Sequence, residues 1–139
     1  METALLLAHL CGPGSTYLAP HVDRAAHRWH VPPAILVAMA RVESTCDPDA
    51  DDGRGDHGIL QVRPGTLAAH GHTAAELHNP RLCLMLGARH LRHWIDRCGD
   101  LAGALGVYAG HRTCRAGRVS RYSSRVLHFA AESSGPPES

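Results

Sequence analysis

The chain has 139 residues, 44% hydrophobic and only 4% aromatic, and its 14 basic residues, all arginine, balance 13 acidic ones to a net charge of +1. That length specifies one domain able to bury a core. The plentiful Leu, Ala and Val favour packed helices over a sandwich of aromatic-rich strands. With no basic surplus and no aromatic residues between the arginines, the composition argues against a nucleic-acid partner.

In chain order, Met1-Glu2-Thr3 leads into a short apolar run from Ala4 to Leu10. It lacks the basic start and small-residue cleavage site of a signal peptide and is too short to span a bilayer. Residues 1–19 are therefore set apart as an N-terminal segment, with no membrane span expected. Pro20 starts a helix with Val22, Ala25, Ala26 and Trp29 on one face. Pro32-Pro33 restarts the chain into a second, from Ala34 to Val42, where almost every residue is apolar, which marks a helix buried on most sides. Asp47-Pro48 ends that helix, because the residue before a proline avoids helical geometry.

Residues 49–58 carry four Asp and three Gly ahead of the apolar run Ile59 to Val62, which predicts a loop and a small β element. Asn79-Pro80 caps and opens a long helix reaching about Cys98, with Leu84, Ala88, Leu91 and Ile95 on one face. Asp100 caps a helix bearing Leu101, Ala104, Leu105 and Tyr108, and Val119, Tyr122, Val126 and Phe129 mark a last one. Residues 132–139 read as a disordered tail. Between Asp100 and Glu132 there are arginines at 112, 115, 118, 121 and 125 and no acid. Such a stretch suits either a solvated helix face or contact with an anionic polymer.

The cysteines at 11, 46, 83, 98 and 114 form no CxxC pair, which argues against a zinc ribbon. One reading bonds Cys98 to Cys114 and Cys46 to Cys83 and leaves Cys11 free. The other keeps all five reduced and buried. Twelve histidines include His27/His30 and His90/His93 at i, i+3 spacing, but no third ligand accompanies either pair. Neither a metal nor another cofactor is expected.

Glu43 is the outlier, a carboxyl at the C-terminal end of an otherwise apolar helix. Burial penalises its charged form and the negative end of the helix dipole repels it, so both raise its pKa. A carboxyl that stays protonated near neutral pH can give its proton to a glycosidic oxygen. The competing role is a side chain that reaches out to solvent or pairs with an arginine such as Arg41.

Glu43-Ser44, then an Asp/Gly-rich stretch, then Gly55-x-x-Gly58-Ile59-Leu60-Gln61, resembles the lysozyme-like lytic transglycosylases, whose corresponding helix ends in Glu-Ser ahead of a Gly-x-x-Gly-Leu-Met-Gln segment. Asn79-Pro80 with Gly87-Ala88, Leu105 to Gly110, and Tyr122 to Leu127 continue the likeness in order, over roughly residues 20–130. The resemblance implies a mainly α, lysozyme-like catalytic domain over residues 20–131, with the small β element beside its cleft. It makes Glu43 the acid and then the base that cleaves between N-acetylmuramic acid and N-acetylglucosamine, leaving a 1,6-anhydro end. Ser44, Gly58, Ile59, Leu60, Gln61, Tyr108 and Ala109 become substrate-binding candidates. A helix-end hydroxyl bonded to a carbonyl competes for Ser44, a core aromatic with its hydroxyl at the surface for Tyr108, and a structural bond to a neighbouring loop for Gln61.

Two positions depart from the pattern: Cys46 stands where an aromatic is usual, suggesting a disulfide in its place, and Ala109 stands where Asn is usual. The aspartates at 47, 49, 51, 52 and 56 resemble the acidic loop of goose-type lysozymes, which hydrolyse the same bond. Asp52 is then the candidate second carboxylate, with Asp51 and Asp56 behind it, if the chemistry is hydrolysis. A wall-binding protein without turnover is the reading from another class. His57 and His111 fall near the expected cleft. The expected partner is peptidoglycan glycan, met by a monomer in the periplasm or cell wall after delivery by a phage particle, lysis system or secretion machine.

Overall fold

The computed structural model describes residues 1–110, 112–114 and 119–134. Among the described residues seven helices carry the fold: α1 (Thr3–Cys11), α2 (Ala19–Trp29), α3 (Pro33–Ser44), α4 (Ala74–Leu77), α5 (Pro80–Cys98), α6 (Leu101–Tyr108) and α7 (Arg121–Ala131). Short 3-10 segments at Pro13–Leu18 and Glu132–Ser134 follow α1 and α7. Helix α3 is the centre. Its residues Ile35 to Ala40 are all buried, because α1, α2 and α7 pack around it. Helix α5 lies against α2 and α6.

Helix boundaries follow local chemistry. Pro33 opens α3. Asn79 Oδ1 accepts from the Arg81 N–H at the start of α5, and Gly99 in left-handed geometry ends it. Asp100 caps α6 through the Gly103 N–H, and Ser120 caps α7 through Ser123. The buried Ser123 hydroxyl donates to Ala102 O at 2.8 Å, which docks α7 on α6.

Some expectations need correction. The run from Ala4 to Leu10 belongs to a core helix, with Leu6, Leu7 and Leu10 buried and Cys11 bonded to Cys46. Residues 1–19 are thus integral to the packing. Cys46 does not reach Cys83, which is the buried free thiol, whereas Cys98–Cys114 forms as expected. The small β element reduces to two isolated antiparallel bridges, Asp51 with His57 and His57 with Val62. The residues flanking them turn instead of extending, with Gly58 and Gln61 both at positive φ. Helix α4, a single turn, adds to the predicted elements. Residues 132–134, where the expected disordered tail begins, form a 3-10 turn, and residues 135–139 lie outside the described residues. No helix among the described residues is long and apolar enough to cross a membrane.

The Cys11–Cys46 bond closes a loop with a sequence separation of 35 and ties α1 to the end of α3. In the chain-entropy picture such a closure stabilises by about 3–4 kcal/mol. The double substitution Cys11→Ser, Cys46→Ser is expected to lower the unfolding free energy by about 3 kcal/mol, read by urea denaturation.

Candidate active site

The chain after α3 turns sharply: Thr45 and Cys46 both adopt left-handed geometry (φ 54° and 64°). Their N–H groups fold back to donate to Arg41 O and Ala40 O. Such geometry costs about 1–3 kcal/mol at a non-glycine residue and persists only where surrounding contacts enforce it, here the disulfide at Cys46. The turn leaves Glu43 as the last acid of α3, facing a cleft of about 420 Å³. Asp56, Gln61, Val62, Arg63, Thr66, His90, Val107, Tyr108, Ala109 and Gly110 complete its lining.

Glu43 has no ion pair among the described residues. Arg41, its competing partner, instead donates to Leu10 O and stands over the Phe129 ring. Burial is the largest of the effects that push the Glu43 carboxyl from 4.5 up to about 8, and the negative charges of Asp56 and then Asp52 add to it. The group is therefore a protonated acid at neutral pH.

Ser44 and Tyr108 hold the wall beside it. The Ser44 hydroxyl donates to Ile59 O at 2.8 Å and lies 3.2 Å from Ala40 O, while accepting from the Asp47 N–H. Tyr108 donates to Leu60 O at 2.8 Å. Ser44 thus makes the helix-end bond to a carbonyl that competes with a sugar contact, whereas the Tyr108 hydroxyl is bonded inward instead of standing at the surface, and the side chain also lines the cleft. Burial, then the nearby Glu43, holds the Tyr108 phenol well above its ordinary pKa, so it stays a neutral donor. Tyr108→Phe leaves a main-chain acceptor unpaired, and an expected loss of about 1–2 kcal/mol should be seen in chemical denaturation.

Gly58, Ile59 and Leu60 do not line the cleft. Ile59 and Leu60 are buried, their carbonyls are taken by Ser44 and Tyr108, and Gly58 O accepts from both the N–H and Nε2 of Gln61. Only Gln61 of this segment reaches the cavity, and its Nε2 also donates to Ala50 O. Two glycines make the wall possible. A Cβ on Gly58 (φ 83°) would sit 2.1 Å from Leu77 O, and one on Gly87 would sit 2.5 Å from Leu60 Cδ1 and 3.1 Å from the Tyr108 hydroxyl. Ala109 lines the cleft at the exposed end of α6.

The acidic loop is largely self-bonded. Asp47, Asp51 and Asp52 accept from N–H groups two residues on, the side-chain turn of such sequences. Asp52, exposed and outside the cleft lining, also accepts from the Asp56 N–H. The bond from the Arg54 N–H is the main cause holding its carboxyl below the ordinary range. Asp56 lines the cleft instead, paired with Arg63 at 3.0 Å.

His90, which in the sequence is only half of an i, i+3 pair, also faces the cavity, one turn beyond Gly87 on α5. Its ring meets the Tyr108 ring at 5.4 Å, and burial, with His93 adding, lowers its pKa. His111 lies outside the described residues. The one group of metal-ligand side chains among the described residues, Asp51, His57 and His78, stands apart from the cleft lining.

The sequence has counterparts among known proteins. The family profile described as "Transglycosylase SLT domain" matches residues 20–126. A curated protein named "Transglycosylase", from Enterobacteria phage PRD1, is 30% identical over 89 residues, which is 64% of this chain and 33% of that protein. The chain therefore spans about a third of that relative's length. No solved structure matches.

Proposed function

Because the chain belongs to the transglycosylase SLT domain family, we propose that it cleaves peptidoglycan glycan strands as a lytic transglycosylase, with Glu43 the one group that moves protons. The observation that carries this reading is a single buried carboxyl, pushed up to about 8, facing an open cleft.

In the first step the Glu43 carboxyl gives its proton to the oxygen joining N-acetylmuramic acid to N-acetylglucosamine, and the bond from that oxygen to the muramic C1 breaks. The resulting Glu43 carboxylate then takes the proton of the muramic 6-hydroxyl as that oxygen bonds to C1. The 1,6-anhydro ring closes, Glu43 is again protonated, and no water is consumed. The neutral His90 and Tyr108, with Gln61, are the proposed polar wall for the sugars. Ser44, Gly58, Ile59 and Leu60 act behind it by fixing its position, and Ala109 leaves room at the rim.

A goose-type hydrolase needs a second carboxylate free to activate water. Asp52 is bound into its own turn, with a lowered pKa that weakens it as a base, and Asp56 is held by Arg63. Both facts favour the lyase. The two disulfides support action outside a reducing cytoplasm, in the periplasm or cell wall, and the phage relative favours delivery by a phage particle or lysis system.

Mass spectrometry of fragments released from purified peptidoglycan tests the reaction. Anhydro-muramic ends are expected. Reducing ends carrying an added water would replace the lyase with a hydrolase, and binding without fragments would reduce the protein to a wall-binding module.

A further inference from the structure

We infer that Asp51, His57 and His78, none of which lines the cleft, form a binding site for a divalent transition metal of the zinc class. One ligand atom from each of these three side chains lies within 4.8 Å of the others. His57 Nδ1 and His78 Nε2 are buried and have no hydrogen-bond partner among the described residues. A buried imidazole nitrogen without a partner is costly, and two of them converging beside one carboxylate call for a ligand that takes lone pairs from both.

The backbone holds the three residues together. Asp51 and His57 are paired in an antiparallel bridge, and His57 Nδ1 already lies 3.4 Å from Asp51 Oδ2. Gly58 packs so tightly on the Leu77 carbonyl that no Cβ fits between them, which places the preceding His57 against the following His78, ring centroids 5.6 Å apart. The Cys83 thiol donates to His57 O from below.

Two imidazoles and a carboxylate suit zinc and its neighbours, whereas calcium and magnesium prefer oxygen donors. Tetrahedral zinc with bonds of about 2.0–2.1 Å needs its ligands about 3.4 Å apart. The Asp51–His57 pair already has that spacing, and the His78 ligand atom lies within 4.8 Å of both. The ion would pin the loop carrying Asp52 and Asp56 to the start of α5, whereas the two isolated bridges, Asp51 with His57 and His57 with Val62, only tie the loop to itself.

The test uses the untagged full chain with both disulfides intact, stripped with chelator and titrated with zinc chloride by calorimetry, with metal analysis after dialysis. One zinc per chain and a rise in melting temperature are expected. Loss of a group that merely orients a ligand costs about 10–100-fold in affinity, so Asp51→Asn, His57→Gln and His78→Gln should each weaken binding at least that much. His27→Gln should leave it intact. Asp51 is exposed and asparagine keeps the Oδ1 acceptor, so Asp51→Asn should melt like the wild type without metal and separates ligand loss from misfolding. Absence of stoichiometric zinc in the wild type, or undiminished binding in Asp51→Asn and His78→Gln, would overturn the site.

Discussion

Glu43→Gln is expected to cut peptidoglycan turnover by about 10²–10⁴-fold, the range for a positioned general acid or base, while making the folded chain more stable above neutral pH. Glutamine is nearly isosteric but has no proton to give. The stability gain follows from linkage. The unfolded carboxyl releases its proton near 4.5, and the folded one holds it to about 8. Between those values the native state binds more protons, so raising the pH destabilises the wild type through that window and no further above it. One pKa unit corresponds to about 1.4 kcal/mol. With solvent in the cleft screening the charge, the penalty by pH 9 is about 2–3 kcal/mol. Melting curves of the two proteins should therefore coincide near pH 4 and separate progressively to pH 8. The wild-type rate should fall about tenfold per pH unit above about 8, as the acid form is lost. A Glu43→Gln protein that still releases anhydro ends, or equal melting at every pH, would remove Glu43 from its assigned role.

The residues behind this result are legible in the sequence to different degrees. Helices α2, α3, α5, α6 and α7 are written in short-range chemistry, a proline at the first turn or an Asn, Asp or Ser cap, and an apolar stripe or block behind it. Glu43 stands out for the same reason, since it is the one acid of α3 and follows directly on the apolar block. Helix α1 reads as a bare apolar run because Glu2 offers no side-chain cap hydrogen bond and its apolar residues form no clear stripe. Helix α4 does leave a signal, Thr73-x-x-Glu76, which closes as a reciprocal capping box. The partner of Cys46 is hidden, because pairing with Cys11 depends on α1 lying across the end of α3, a tertiary fact with no local trace. The choice between Asp52 and Asp56 is equally hidden. Both lie in one polar loop, and only the folded turn sends Asp52 to the backbone and Asp56 to Arg63 at the cleft wall.

The wall itself supplies the second large effect. Gly58→Ala is expected to destabilise by about 4–5 kcal/mol or to prevent folding of the 50–62 loop, well beyond an ordinary surface change. Two independent causes add. The position has φ 83°, where alanine is strained. The new methyl would also stand 2.1 Å from Leu77 O and 2.8 Å from Cys83 Sγ, and a main-chain carbonyl cannot move aside as a flexible side chain would. Relief must come from the loop lifting off α4 and α5, which carries away Ile59 O and Leu60 O and so breaks the Ser44 and Tyr108 bonds together. Glu43 then gains water, and its pKa falls toward 4.5. Chemical denaturation should report the lost stability. In any folded remainder, the rate should decline with rising pH well below 8. A Gly58→Ala protein with wild-type stability and an unmoved pH profile would mean that the loop is not what keeps Glu43 dry. The Gly53→Ala control also sits at positive φ, 73°, but nothing stands within 4 Å of its added carbon, so it isolates the backbone strain at about 1 kcal/mol. The difference between the two glycines measures how tightly the loop presses on the start of α5.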